Sequence, residues 1–270
     1  MAASVLHISD LHLRETLPDD VEAALRDIVT ELGPELVIAS GDLTHRGRPD
    51  QLRAVHALLA SLGVPALAVP GNHDIPYSPL RLVRPWVRFE HTFGTTQPVH
   101  RSPTIVAVGL NSVRPWRHQG GRLSPRSLER AAQELAGAPP RALRVVVCHH
   151  HLAGAPWRAA RKFPLKHRDI VLDRLGAAGA ELVLGGHIHQ SSSVEPHEFV
   201  VEHDMAHGLP ALATSPGLSR PRPHRTGEAQ GLHVVAWDDR SLTIETRAWA
   251  GHGFAATARR IFPRADPLNS

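Results

Sequence analysis

Five short clusters of Asp, Asn and His side chains recur along the chain, and each directly follows an apolar run. Carboxylate, amide and imidazole groups without a thiolate suit Mn, Fe or Zn as ligands. One such cluster alone would be weak evidence, because Asp and Asn are common in ordinary turns. Together they offer more ligands than one ion needs, so the sequence predicts a metal site. The clusters are Asp10-Leu11-His12, Gly41-Asp42, Gly71-Asn72-His73-Asp74, His149-His150-His151 and Gly186-His187-Ile188-His189.

The apolar runs before these clusters have the composition of buried β-strands. They cover residues 5–8, 36–39, 66–69, 145–148 and 182–184. In an open α/β sheet, ligands bind in the crevice beyond the carboxyl ends of the strands. We therefore expect the five clusters to converge on one place, although they are spread over residues 10–189.

Helical spacing of apolar residues between these runs predicts four helices. The first begins at Pro18-Asp19 and ends at Gly33, and the second covers about residues 49–62 before Gly63. The third begins at the Ser124-Pro125 cap and stops at Gly137, and the fourth covers about residues 168–175. Strands are predicted over 232–237 and 242–249, on either side of an Asp238-Asp239 turn. This βαβαβ opening with additional strands fits an α/β/β/α sandwich, and we expect residues 1–270 to form one domain.

The five clusters resemble the five motifs of the calcineurin-like metallophosphoesterases, in the same order. The resemblance implies an α/β/β/α sandwich of two mixed β-sheets flanked by helices, with a dinuclear metal site at the C-terminal ends of strands. It also implies hydrolysis of phosphate esters, and we expect phosphodiesters rather than monoesters. The sequence from His7 to His12 and the compact length are most similar to the bacterial cyclic-nucleotide phosphodiesterase-like branch.

The resemblance further implies how the ligands divide between two divalent or trivalent metal ions, for which Mn, Fe and Zn stay open. Two ions about 3.5–4 Å apart neutralise a phosphate, generate hydroxide from water and stabilise the attacking and leaving oxygens. By the family pattern, Asp42 bridges the ions. One ion takes Asp10, His12, Asp42 and His189, and the other takes Asp42, Asn72, His149 and His187.

His73 is implied to be catalytic rather than a metal ligand. In the family, the histidine of this motif contacts the phosphate and can protonate the leaving oxygen. Asp74 is expected to orient its ring and favour its charged form, as neighbouring carboxylates do. The alternative is a helix-capping Asp74 beside an exposed His73.

The triplet His149-His150-His151 leaves a question of register, because neighbouring strand residues point to opposite faces. The family uses the first histidine as the ligand, so we expect His149 to bind metal. His150 then lies near the substrate or packs as a neutral ring. The family often has proline where His151 stands, which puts the geometry of this loop in doubt.

Charge is concentrated in residues 101–170, which hold 13 basic and 3 acidic side chains. Arginine favours bidentate phosphate contacts, and tryptophans among the charges offer faces on which a base can stack. The alternative is a solvated surface in a chain that uses 28 Arg and 2 Lys. The residues predicted to contact substrate are His150, Arg114, Arg158, Arg161 and Lys162, with Trp116 and Trp157 as stacking faces.

The remaining composition favours a cytoplasmic enzyme with a small phosphate ester or nucleotide as its partner. No apolar run approaches 18 residues, so we expect no membrane span, and Met1–Ser4 lead directly into the first strand, so we expect no signal peptide. Cys148 is the only cysteine, and we interpret it as a buried filler in a reducing compartment. The alternatives are a metal-dependent nuclease acting on DNA or RNA, and a non-catalytic scaffold with the same fold. The sequence leaves the substrate and the oligomeric state open.

Overall fold

The structure of the protein is a computed structural model that describes residues 3–117, 119–153, 163–195, 198, 208–222 and 227–264. These residues form two six-stranded β-sheets that pack face to face, with helices on both outer faces. Both sheets are mixed, because each combines parallel and antiparallel strand pairs.

The first sheet has the order β12-β11-β10-β1-β2-β3, with strands numbered along the chain. Strands β1, β2 and β3 run parallel to one another, so their carboxyl ends meet at one edge. The strands of this sheet are β1 (Ala3–Ile8), β2 (Leu36–Ala39), β3 (Ala66–Ala68), β10 (Gly231–Trp237), β11 (Ser241–Trp249) and β12 (Phe254–Pro263).

The second sheet has the order β4-β5-β6-β7-β9-β8, and β5, β6, β7 and β9 are parallel. The carboxyl ends of β6 and β7 therefore also lie at a common edge. Its strands are β4 (Val99–Arg101), β5 (Ile105–Gly109), β6 (Leu143–Val147), β7 (Leu182–Gly185), β8 (Ser192–Val194) and β9 (Ala211–Thr214).

Three apolar layers hold the sandwich together. The middle layer lies between the sheets and packs residues such as Val5 and Ile38 against Val145 and Leu184. Because strand side chains alternate between faces, the remaining apolar positions pack outward against helices. The layer outside the first sheet includes residues of three helices, α1 (Asp19–Leu32), α2 (Pro49–Ser61) and α4 (Val87–Phe93). The layer outside the second sheet includes residues of α5 (Pro125–Ala136) and α6 (Arg168–Ala177). Helix α3 (Leu80–Val83) has no buried residue.

The four predicted helices are confirmed. Helix α1 ends at Gly33 with φ 52°, a left-handed conformation that glycine adopts readily. Helix α5 begins as expected, because the Ser124 side chain accepts a hydrogen bond from the Ser127 N–H. The strands over 232–237 and 242–249 are also present as β10 and β11. Among the described residues, no helix is both long and apolar enough to cross a membrane.

Candidate metal centre

The polar clusters lie where the parallel strands of both sheets end. One hydrogen bond joins the two edges directly, because the His187 N–H donates to Asp10 Oδ2 at 2.9 Å; within the second sheet, the Gly186 N–H donates to the His149 carbonyl oxygen at 2.9 Å. The loops after β1, β6 and β7 are therefore fixed to one another. Residues far apart in sequence meet in one buried site, as the strand pattern predicted.

Asp10, His12 and His189 form a first group with three converging ligand atoms. His189 Nε2 lies 3.2 Å from Asp10 Oδ1 and 3.1 Å from His12 Nε2. The rings of His12 and His189 stack with centroids 5.0 Å apart. Asp10 and His189 are buried, and His12 is partly buried.

Asp42, His149 and His187 form a second group, and all three are buried. His149 Nε2 lies 3.4 Å from Asp42 Oδ2 and 3.2 Å from His187 Nδ1. The His149 Nδ1–H donates to the Ser40 carbonyl oxygen at 2.9 Å. That bond turns Nε2 toward Asp42, in the way that the partner of one ring nitrogen sets the orientation of the other.

Asp42 lies between the two groups. Its Oδ2 atom is 3.8 Å from His12 Nε2 on one side and 3.4 Å from His149 Nε2 on the other. Its Oδ1 atom accepts a hydrogen bond from the His73 N–H at 2.8 Å. One carboxylate oxygen therefore faces both groups while the other is held by the backbone.

The protonation states expected for these side chains fit metal binding. Burial lowers the pKa of His12 to about 4, which leaves a neutral ring that can donate a lone pair. Although burial acts in the opposite direction, His149 lowers the pKa of Asp42, so this carboxylate stays ionised. Burial also opposes the charged form of His149, but the negative charge of Asp42 and a hydrogen bond to it raise its pKa to about 9. A cation bound here would take the place of that proton.

A buried acceptor supports the same interpretation. Asp10 Oδ1 is enclosed, and the ring nitrogens of His189 and His12 lie 3.2 and 3.8 Å from it. A buried carboxylate oxygen of this kind is costly unless a cation satisfies it. The donor set of carboxylates and imidazoles fits a metal ion.

The backbone around these side chains is strained. Six described residues other than glycine have positive φ, and five of them belong to the two groups: Asp10 (52°), His12 (45°), Asp42 (49°), His187 (76°) and His189 (57°). Such conformations cost of order 1–3 kcal/mol each and persist only where the surrounding structure imposes them. Their concentration here indicates that ligand placement overrides local backbone preference.

The loop after β3 approaches Asp42 closely. A Cβ atom on Gly71 would overlap the backbone nitrogen and the Oδ1 atom of Asp42, so only glycine fits this position. Asn72 follows directly and is buried. Its position next to Gly71 is compatible with the ligand role that the sequence predicts, and that role stays a prediction.

The structure corrects the expected role of Asp74. Its carboxylate accepts hydrogen bonds from the Leu43 and Gly71 N–H groups and from the backbone and hydroxyl of Thr44, at 2.8–3.1 Å. None of these partners is the ring of His73. Asp74 joins the loop after β2 to the loop after β3, so it holds the loops that carry Asp42 and Asn72 rather than orienting His73.

Two residues that were not predicted to belong to the site lie close to the His73 ring. His73 Nδ1 lies 2.9 Å from the His45 carbonyl oxygen and 3.2 Å from Tyr77 Oη. On the other side, the rings of His73 and His12 meet edge to face with centroids 4.7 Å apart. In the sequence, His45 and Tyr77 are marked only by lying three or four residues beyond a motif residue. That spacing is common by chance, so it predicts no role for either residue.

The triplet after β6 has the register that was expected for the first histidine. His149 joins Asp42, whereas His150 Nδ1 lies 2.8 Å from Ser112 Oγ, and the His150 N–H donates to the same oxygen at 3.2 Å. His150 and His151 are both buried. Ser112 thus holds the His150 ring, whose centroid lies 4.7 Å from that of His187, and a contact of His150 with substrate stays a prediction.

The basic segment is described only in part. Trp157, Arg158, Arg161 and Lys162 lie outside the described residues. Arg114 lies over the ring of Trp116, with 5.5 Å between the guanidinium carbon and the ring centroid. Cys148 is buried, and burial raises the pKa of its thiol to about 12, which agrees with its interpretation as a filler.

Comparison with known proteins identifies relatives. The family model for calcineurin-like phosphoesterases matches residues 3–191. The glycerophosphodiester phosphodiesterase GpdQ of Enterobacter lignolyticus is 36% identical over 89 residues, which cover 29% of this chain and 32% of that protein. A probable cyclic nucleotide phosphodiesterase of Rhodococcus erythropolis is 27% identical over 202 residues, covering 70% and 65%. A probable GpdQ of Arcobacter nitrofigilis is 25% identical over 257 residues, covering 84% and 90%.

The matched part of the chain thus spans about a third of the first relative and about two thirds of the second. Among solved structures, purple acid phosphatase PPD1 from yellow lupin seeds has the same fold, with a TM-score of 0.66 and 13% identity over 100% of this chain and 55% of that one. The predicted fold class and the predicted resemblance are both confirmed.

Proposed function

Because the chain belongs to the calcineurin-like phosphoesterase family, we propose that it is a hydrolase of phosphodiesters that works with two divalent or trivalent metal ions. One observation carries the proposal. The Oδ2 atom of Asp42 lies between two groups of converging ligand atoms, at 3.8 Å from His12 Nε2 and 3.4 Å from His149 Nε2. A single-ion site would need only one of these groups.

The residues proposed to hold the ions come from the two groups, and Asn72 is added from the family pattern. When bound, two such ions supply charge neutralisation for the phosphate and an activated water as the nucleophile. Mn, Fe and Zn all suit the donor set. One ion is assigned to Asp10, His12, Asp42 and His189, and the other to Asp42, Asn72, His149 and His187.

His73 is proposed as the general acid that protonates the leaving oxygen. The His45 carbonyl oxygen accepts the Nδ1–H, so the proton that is given up sits on Nε2. The His73 backbone is tied to Asp42 through its N–H. The acid is thereby held at a fixed position relative to the proposed bridging ligand, and Asp74 supports this arrangement indirectly by joining the two loops.

The substrate class is proposed from the relatives. Their names specify glycerophosphodiesters and cyclic nucleotides, which are both small phosphodiesters. We therefore propose a small phosphate ester or nucleotide as the substrate, with nucleic acid as the second choice. One domain over residues 1–270 is proposed because three continuous apolar layers connect the described elements. A cytoplasmic location is proposed because the sole cysteine is a free, buried thiol.

A substrate panel tests the proposal. The Mn-loaded protein is assayed with an aryl phosphodiester, the matching aryl monoester, 3′,5′-cyclic AMP, a glycerophosphodiester and single-stranded DNA. We expect higher kcat/KM for the aryl diester than for its monoester. Preference for the monoester would contradict the diesterase assignment, and no turnover of any ester would favour a scaffold.

Salt dependence separates the nuclease alternative. A protein that binds several DNA phosphates loses affinity steeply as salt rises, because counterions are released together. A cyclic mononucleotide carries one negative charge, so its KM should change little between low and physiological salt. Strongly salt-dependent binding of single-stranded DNA, without turnover of small diesters, would replace this proposal with the nuclease.

A further inference from the structure

A groove of about 550 Å³ opens beside His73, outside the two groups of metal ligands. One wall comes from the loop before α3 and from α3 itself, and the other comes from the loop that contains Pro115 and Trp116. Its volume lies within the range of about 300–1,000 Å³ that is usual for small-molecule sites. The side chains that define it are Tyr77, Pro79, Arg81, Leu82, Pro115 and Trp116.

The groove presents aromatic rings to solvent and surrounds them with guanidinium groups. Tyr77 is 41% exposed and Trp116 is 68% exposed. The guanidinium carbons of Arg81 and Arg46 lie 5.7 and 6.0 Å from the centroid of Tyr77, and that of Arg114 lies 5.5 Å from the centroid of Trp116. Contacts of this kind fix both the cation and the face of the ring.

The two walls are connected, so the groove is a built feature. The Arg81 Nε–H donates a hydrogen bond to the Pro115 carbonyl oxygen at 2.8 Å. This bond joins α3 to the loop that carries Trp116. The bond therefore limits how far Tyr77 and Trp116 can move relative to each other.

Tyr77 connects the groove to the proposed general acid. Tyr77 Oη lies 3.2 Å from His73 Nδ1, and the rings are 5.8 Å apart by centroids. The groove therefore adjoins the Nδ1 side of the His73 ring, and it offers room for the organic part of an ester whose phosphate lies at the metal ligands.

We propose that this groove binds the aromatic base of a nucleotide ester. The inference rests on the proposed function, because it assigns the substrate class of the same site. A planar base stacks on the exposed ring of Trp116 and is contacted by the Arg81 guanidinium group and by the apolar surfaces of Pro79 and Leu82. A glycerol group has neither a planar face nor the apolar area to fill such a groove. The geometry therefore favours nucleotide esters over glycerophosphodiesters.

A second copy of the chain is the competing occupant. Leu82, Val83 and Val87 are 67%, 78% and 39% exposed, and a self-association surface would cover them. Val83 and Val87, however, do not line the groove. The two occupants thus predict different effects for substitutions inside and outside it, and these substitutions provide the test.

The experiment compares two ligands that carry the same phosphate. Dissociation constants of AMP and glycerol 3-phosphate are measured by titration calorimetry on the Mn-loaded protein, so that the contribution of the phosphate cancels. We expect the wild-type protein to bind AMP at least about tenfold more tightly, since stacking of one base contributes on that order. Trp116→Ala should abolish this preference and leave glycerol 3-phosphate within twofold, and Trp116→Phe should retain most of it.

Control substitutions are available on α3, which carries Arg81, and at the C-terminal end of that helix. Val83→Ala should leave both constants unchanged, because Val83 does not line the groove. Arg81→Met should weaken AMP selectively, whereas Arg84→Met, at the exposed C-terminal end of α3, should not. Equal wild-type affinity for both ligands would overturn the inference, and so would a Trp116→Ala protein that keeps its preference. A change in oligomeric mass in Trp116→Ala with unchanged AMP affinity would assign the groove to self-association instead.

The diester panel keeps the two proposals separate. If the wild-type protein hydrolyses no diester yet binds AMP through Trp116, the proposed function fails and the base-binding groove stands. If it hydrolyses diesters but shows no preference for AMP, the groove assignment fails and the function stands.

Discussion

Two buried histidines outside the metal ligands make a testable contribution to stability. His7 and His233 are paired across β1 and β10 and are fully buried between the sheets. His233 Nε2 lies 3.0 Å from Ser191 Oγ, and burial lowers the pKa of His233 to about 4. The perturbation is His233→Gln, which keeps a polar group of similar length and removes the titration.

The magnitude follows from proton linkage. The folded state holds His233 neutral down to about pH 4, whereas an unfolded histidine takes up a proton near pH 6.5. Acid therefore favours the unfolded state, and stability is lost as the pH falls through 6.5 toward 4. Between pH 7 and pH 5 the expected loss from this residue is about 2 kcal/mol. The pKa of His7 is also lowered by burial, so the whole protein should lose more than this.

The assay is urea unfolding of chelator-treated protein at pH 7 and pH 5. Removing metal keeps pH-dependent release of the ions out of the measurement, and comparing variant with wild type cancels the titration of distant groups that both share. The drop in unfolding free energy should be about 2 kcal/mol smaller in His233→Gln, and His91→Gln, at an exposed position on α4, should match wild type. Equal drops in wild type and His233→Gln would refute the assigned neutral, buried state.

Three further predictions concern the site. His73→Ala should keep its metal content and lose about 10²–10⁴-fold in kcat/KM on esters with poor leaving groups, but much less on an activated aryl ester; an equal loss on both would mean that His73 only positions the phosphate. Gly71→Ala should lose metal and turnover because its Cβ overlaps Asp42, whereas Gly137→Ala, whose Cβ makes only ordinary contacts at 3.7 and 3.8 Å, should behave as wild type in elemental analysis; retained metal in Gly71→Ala would count against the close packing. His149→Ala should lose metal and His150→Ala should keep it, and the reverse result would shift the ligand by one residue.

Much of the fold could be predicted because the sequence is locally consistent. Helix α1 has apolar residues on one face and a glycine at its end, β2 is apolar throughout, and the buried part of β1 is apolar except for His7. The short helices α3 and α4 carry no comparable signal. Helix α3 has four residues and none of them is buried, so neither periodicity nor burial marks it. Strand β12 lies at the sheet edge and is mostly exposed, which removes the apolar pattern on which strand prediction depends.

The residues that meet at the site could be predicted, but some of the hydrogen bonds and contacts around them could not. Asp10, Asp42 and His149 were identifiable because each follows a strand that is parallel to at least one neighbour. The hydrogen-bond partners of Asp74 could not be predicted, because a carboxylate that accepts four hydrogen bonds from neighbouring loops has the same sequence context as one that orients a histidine. Tyr77 and Arg81 could not be identified from the sequence either. Only the folded path of the chain brings Tyr77 next to His73 and Arg81 next to the loop that carries Trp116.

The central claim is that Asp42 bridges two metal ions, and elemental analysis of the Mn-saturated protein tests it most directly. Asp42 Oδ2 faces both ligand groups, so removing it should affect both ions. We predict two ions per wild-type chain, and at most one ion with nearly complete loss of turnover in Asp42→Ala. A single ion in the saturated wild-type protein, or two ions retained in Asp42→Ala, would contradict the account.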